Sequence, residues 1–186
     1  MWYKIKSKLI MWFGNIQIFK YPFFILFGHT AYKIKGTHQR EILDVLKSGD
    51  VLLRRYNNYL SGLMIPGYFT HAALYVGDNQ VIHLLGKGIC KEDILTFLRC
   101  DDIVVLRYED QSIIEEVIKK AYDQLEKKIE YDYAFDTNSS DRFYCTEFVD
   151  FCFDYPVKPI IKYNYIIPDD FLAQKKFDVI WNKGGK

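Results

Sequence analysis

Three residues of this chain have the types and contexts that could together activate a thiol: Cys145, His71 and His83. A cysteine attacks as its thiolate, and a helix N-terminus favours that anion because its unpaired N–H groups carry partial positive charge. Cys145 lies in F-Y-C-T-E-F-V-D-F-C-F, where Phe148, Val149 and Cys152 recur at helical spacing. The sulfur therefore falls in the first turn of a buried helix. An imidazole beside it would take the thiol proton, and a further polar group would fix that imidazole's tautomer. His71 is the candidate general base and His83 the candidate orienting residue. Backbone N–H groups at the helix start, that of Cys145 included, could hold an oxyanion. Zinc bound by the same three side chains is a second reading, weakened by the lack of a close-spaced ligand pair. On composition alone, a helical cysteine is more often inert core than nucleophile, and Cys152, two turns on, fits that description.

Both histidines sit in Thr70 to Leu85, T-H-A-A-L-Y-V-G-D-N-Q-V-I-H-L-L, which reads as two strands joined across Gly77-Asp78-Asn79. Alternation puts His71, Ala73 and Tyr75 on one face of the first strand, and His83 with Val81 and Leu85 on one face of the second. Register decides whether the imidazoles meet. A two-residue turn pairing Gly77 with Gln80 would set His83 opposite Leu74, on the wrong face. A three-residue loop pairing Val76 with Gln80 sets His83 opposite Ala73 and diagonal to His71, about 7 Å away. Asn79 tolerates the positive φ such a loop needs. The three-residue loop is the prediction.

The elements that must hold these groups follow from periodicity and punctuation. Gln39 to Lys47 predicts a short amphipathic helix with Thr37 as its cap, and Asp50 to Arg54 a strand. Gly62, Pro66 and Gly67 make residues 56–69 a loop. Gly86 and Gly88 end the hairpin, Lys91 to Leu98 predicts a short helix, and Ile103 to Arg107 a strand. Ser112 to Glu130 is the clearest helix, with a Ser112/Glu115 capping box and a stripe of Ile114, Val117, Ile118, Ala121, Leu125 and Ile129. A polar loop, Asp136 to Asp141, then leads to the Cys145 helix. Glu147 reads as a capping or supporting carboxylate, and Asp132 and Asp136 as turn formers. Cys90 and Cys100 read as core or surface thiols, and His29 and His38 as surface residues. Past Pro156, Pro159 and Pro168 the chain ends near a Val179-Ile180-Trp181 strand.

At 186 residues the chain fits one domain with a sizeable core, plus at most an appendage. A net charge of +1 gives no reason to expect nucleic acid. The four cysteines form no C-x-x-C pair, so a disulfide framework is not expected and a reducing, cytoplasmic setting is favoured. Residues 1–31 are expected to be an aromatic, helical appendage. Lys4, Lys6 and Lys8 precede Leu9-Ile10-Met11-Trp12-Phe13, but aromatic bulk and the missing small-residue site argue against a signal peptide. Asn15, Gln17, Lys20 and Pro22 interrupt any span. Packing on the domain is the plainer expectation, and peripheral membrane contact through interleaved Trp, Phe and Lys the sharper one.

The fold expected is α+β, a small antiparallel sheet, partly closed, packed against helices. G-D-V-L-L-R, T-H-A-A-L-Y-V-G-x-x-x-V-I-H, F-L-R-C-D-x-I-x-V-L-R and Y-C-T-E-F-V occur in that order, with P-D-D-F at Pro168 to Phe171. Over about residues 32–172 this resembles the circularly permuted, NlpC-type papain-like cysteine hydrolases, the YiiX/YebB-like group above all. The resemblance implies a permuted papain-like domain over 32–186, with the nucleophile on Cys145, the base on His71 and the orienting residue on His83. Glutamate often fills that third position in the group; histidine there is more similar to the lecithin retinol acyltransferase-like relatives. The function implied is a thiol hydrolase of amide (peptide-like) or ester bonds, needing no metal or organic cofactor. Its substrate would be a small molecule, peptide-like or lipid-like. A lipid acyltransferase or phospholipase, and a non-catalytic module binding a lipid or acylated peptide, are the alternatives.

Overall fold

The central strands are apolar on both faces, so the sheet they build must be covered on both sides. Helices do this in the computed structural model, which describes residues 16–18, 25–27, 32–57, 65–133, 135, 141–160 and 164–184. Two compact units divide the chain, Met1–Tyr32 and Lys33–Lys186. In the first, β1 (Ile16–Ile18) pairs antiparallel with β2 (Ile25–Phe27). These residues are extended where a helix was expected, in keeping with the β preference of Ile16, Ile18 and Ile25. The rest of the expected appendage, with His29, lies outside the described residues.

The second unit opens with α1 (Gly36–Val45) and β3 (Val51–Arg55). Three strands follow, β4 (His71–Gly77), β5 (Gln80–Leu85) and β6 (Gly88–Asp93), then the single-turn α2 (Ile94–Phe97) and β7 (Asp102–Tyr108). The long helix α3 (Ile114–Lys127) leads to a short parallel pair, β8 (Glu130–Tyr131) and β9 (Arg142–Phe143). Helix α4 (Cys145–Cys152), helix α5 (Pro168–Leu172) and β10 (Phe177–Asn182) complete it.

One antiparallel sheet of six strands, in the order β10-β7-β3-β4-β5-β6, organises the unit. It stays open, where partial closure was expected. Strict alternation sorts its side chains. Leu53, Ala72, Leu74, Ile82 and Leu106 join Val117 and Ala121 of α3 and Phe148 and Val149 of α4 in one core. Leu52, Ala73, Val81 and Val105 join Ile42 of α1, and Ile94 and Phe97 of α2, in a second core. Both cores share one sheet, so a one-residue slip in any strand would exchange their contents.

Three local expectations need correction. Residues 91–93 continue β6 instead of starting a helix, and only Ile94–Phe97 turns, capped by Asp93 accepting from Leu95 and Thr96 N–H. Pairing of β6 with β5 satisfies more backbone than one helical turn could. Helix α1 begins at Gly36, so Thr37 lies inside it, and His38 Nδ1 accepts from Lys35 N–H at 3.2 Å. Before α3 a 3-10 turn, Gln111–Ile113, is capped by Asp110, whose carboxylate takes both the N–H and the hydroxyl of Ser112. Ser112 is thus a donor to a neighbour and not itself the cap. All four cysteines are free thiols. Among the described residues no helix is long and apolar enough to cross a membrane.

Candidate active site

The β4–β5 turn differs from expectation, yet the register it delivers is the expected one. Gly77 pairs with Gln80, and Asp78 and Asn79, with φ of 50° and 57°, make a two-residue turn. That pairing alone would turn His83 to the wrong face. A bulge at Val76, between the Tyr75–Val81 and Gly77–Gln80 pairs, restores the phase, so Leu74 faces Ile82. One step further along, His83 is level with Ala73. Two effects, a tighter turn and an extra residue in the strand, therefore cancel.

The two imidazoles consequently meet. His71 Nε2 and His83 Nδ1 are 2.8 Å apart, with ring centroids at 5.1 Å and planes 71° apart. Phe97 backs both rings, at 6.0 Å and 5.4 Å. Arg54, directly opposite His71 on β3, stacks on Phe97 at 4.0 Å and donates to its carbonyl at 3.2 Å. His83 is fully buried, and burial followed by the Arg54 charge pushes its pKa down to about 3. His71 keeps one edge open to solvent but is densely surrounded. Desolvation, then Arg54, then His83 hold its pKa well below 6.5. Both rings are therefore neutral at pH 7, and a neutral ring can accept a proton.

Cys145 opens α4, which packs on β4 and β5. Among the described residues the β4–β5 ladder ends at Leu74–Ile82. Tyr75 N–H bonds Asp50 on the β3 side, so alternation turns Ala72 N–H toward β5, beyond the ladder's end. The sulfur takes that place. Backbone N–H groups at Ala72, Thr146 and Cys145 serve it, and Thr146 Oγ1 lies 3.7 Å away. Burial outweighs these bonds and raises the thiol pKa, against the expectation that the helix N-terminus would lower it. The sulfur is thus held at the backbone of Ala72, the residue that follows His71 on β4. Glu147 has the capping role read from the sequence: its carboxylate accepts from Tyr144 N–H at 3.4 Å.

Beside the sulfur lies a narrow, partly open pocket. Tyr131, Phe135, Tyr144, Tyr165, Ile166 and Ile167 contribute to its apolar wall. The P-D-D-F segment holds this wall in place. Asp169 accepts from Tyr68 and Phe69 N–H, and Asp170 from Ile160 and Ile167 N–H at 2.8 Å and 2.7 Å. Tyr144 Oη accepts from Ile166 N–H at 3.0 Å, tying the wall to the residue before the cysteine.

With this geometry in view, comparison with protein families is decisive. Residues 45–181 match the family described as permuted papain-like amidase enzymes of the YaeF/YiiX type, family C92. The chain belongs to that family. No curated protein matches it. Its fold is similar to that of a solved protein described as the metalloprotein YiiX from Escherichia coli O157:H7. The TM-score is 0.62 at 15% identity, over 75% of this chain and 98% of that one. A cysteine hydrolase on an α+β, permuted papain-like scaffold is thus the broad assignment.

His71 Nε2 and His83 Nδ1 face each other at hydrogen-bond distance, which leaves no place for an ion between them. Among the described residues no cluster of three or more His, Cys, Asp or Glu is placed to share one. Cys152 and Cys100 are buried core thiols; burial pushes Cys100 up to about 12 and Cys152 further. Asp132, read as a turn former, is buried and its N–H bonds Phe143 O at 2.9 Å, and Asp136 lies outside the described residues. Sequence reading missed Arg54, Glu92 and the two P-D-D-F carboxylates. A helix assigned over 91–98 hid Glu92, whereas the turn signal at Gly86 and Gly88 was the cue for a third strand.

Proposed function

We propose that this chain cleaves amide or ester bonds of substrates with an apolar acyl group, through an acyl-enzyme on Cys145. The observation that carries the reading is the 2.8 Å His71–His83 pair across β4 and β5, the two strands on which the Cys145 helix packs. His71 Nδ1 takes the Cys145 proton as the sulfur attacks the carbonyl carbon, forming the S–C bond. N–H groups at the start of α4 hold the oxyanion. Collapse breaks the bond to the leaving amine or alcohol, which receives the proton from His71. Water then gives its proton to His71, attacks the thioester and releases the acid and the thiol. His83 keeps His71 in the tautomer that this cycle needs. A raised thiol pKa and lowered imidazole pKa values suit proton transfer during attack better than a standing thiolate–imidazolium pair.

The aromatic and aliphatic wall beside Cys145 supports the acyl preference, and equally supports transfer or release of a lipid acyl chain. A lipid acyltransferase or phospholipase is the second reading for that reason. An acyl-thioester-forming probe should label the wild-type protein and leave Cys145→Ala unlabelled while its circular dichroism is unchanged. Labelling that survives in the variant overturns the assignment and leaves a non-catalytic binding module. Fatty acid released from phospholipid vesicles, with no turnover of N-acyl amides, selects the lipid reading.

A further inference from the structure

Behind the histidine pair is a polar cluster, buried except for the outer part of Glu92, that the reaction above does not use. His83 Nε2, Glu92 Oε2 and Arg54 Nε are all inaccessible to solvent and have no hydrogen-bond partner. They are close to one another: Glu92 Oε2 lies 3.6 Å from His83 Nε2 and 3.7 Å from Arg54 Nη1. A buried N–H left unbonded forfeits its hydration with nothing in return, so a neighbouring acceptor is its natural destination. The separation is slightly too long for a hydrogen bond, and a small side-chain rotation closes it.

Strand register brings them together. Glu92 pairs with Val81, and Cys90 with His83, so Glu92 and His83 share a face of neighbouring strands. Arg54 reaches the same face from β3 and sets a positive charge beside the covered Oε2 of the half-buried Glu92.

We propose that Glu92 is a positioning residue that sets the proton arrangement of the whole histidine chain, an inference that rests on His71 being the base. An acceptor at Glu92 places the His83 proton on Nε2. His83 Nδ1 is then a lone pair, so the 2.8 Å bond must be donated by His71 Nε2–H. That leaves His71 Nδ1 unprotonated, as proton abstraction from Cys145 requires. The opposite arrangement, with the His83 proton on Nδ1, would force His71 to accept through Nε2 and carry its own proton on Nδ1. A ring in that state cannot take the Cys145 proton through Nδ1. Glu92 touches neither substrate nor thiol and acts only through this tautomer choice.

Long-range ¹H–¹⁵N spectra of the full-length protein with ¹⁵N-labelled histidine test this at pH 7.5. Both His71 and His83 should be Nε2–H tautomers; a His83 proton on Nδ1 in the wild type overturns the proposal, whether or not any variant folds. Glu92→Gln offers an amide N–H₂ to His83 and should produce mixed tautomers in both rings. Its kcat should fall by at least about tenfold with KM nearly unchanged, less than the roughly 10⁴ that a wrong tautomer costs in a serine triad. Unchanged tautomers and unchanged kcat in Glu92→Gln also overturn it. Wild-type protein that the acyl probe does not label at Cys145 contradicts the hydrolase reading instead, and the spectra still report on Glu92.

Discussion

The two sides of the candidate site are built from opposite materials. Around His71 and His83 the protein gathers polar and charged groups, buried Arg54 and half-buried Glu92 among them, against the ring of Phe97. Around the Cys145 sulfur it gathers tyrosines, a phenylalanine and isoleucines, with polar support, among the described residues, from backbone N–H groups and Thr146. A polar cluster fixes protons and is sensitive to every missing partner, because an unsatisfied buried group is costly. An apolar wall is tolerant of shape and reads only bulk. The contrast teaches a division of labour: proton handling is specified from the β3–β6 side, and the acyl group is received on the α4 side.

Changes on the polar side should therefore be the more severe. His71→Asn removes the base while keeping a polar side chain, and kcat should fall by about 10²–10⁴ with KM changed little. A fall of less than about threefold would break the comparison at its strongest point.

The pH response should be next in size. With His83 at about 3 and His71 well below 6.5, the base stays unprotonated through mild acid, so the rate should hold past pH 6 instead of halving near 6.5. Stability runs in its own window. Folded-state values below the unfolded 6.5 mean that the unfolded chain binds protons first as pH falls. The contribution is complete above about 6.5 and is lost as pH falls toward about 3. Urea midpoints between pH 7.5 and 4 should drop while the initial rate of probe acylation is retained. Loss of rate centred at 6.5 with constant midpoints would contradict both signs.

On the apolar side Phe135→Ala should act mainly on binding. KM for a long-chain acyl substrate should rise about three- to thirtyfold, as expected for losing part of one aromatic contact, while a short acetyl substrate is nearly unaffected. Equal effects on the two substrates would show that the wall does not receive the acyl chain.

Local signals in the chain account for much of this architecture. Helical spacing of Phe148, Val149 and Cys152 put Cys145 at a helix start, where it is. Alternation in T-H-A-A-L-Y-V identified a strand and the shared face of the histidines. The hairpin shows the boundary of such reading. Asp78 and Asn79 both take positive φ, so the local turn is shorter than predicted, and the bulge at Val76 is visible only once β4 is paired with β5. Burial decides such cases, because a strand covered on both faces cannot keep His83 in the Leu74 core.

What the sequence determined by itself is which side chains exist at strand and helix periods, since that depends only on neighbours a few residues away. Tertiary structure alone decided that Arg54, from β3, and Glu92, from β6, converge on His83, and that the thiol is raised in pKa instead of lowered. Those outcomes depend on sheet order and on how much water packing removes. Desolvation is a property of everything that surrounds a group, and no short stretch of chain encodes it.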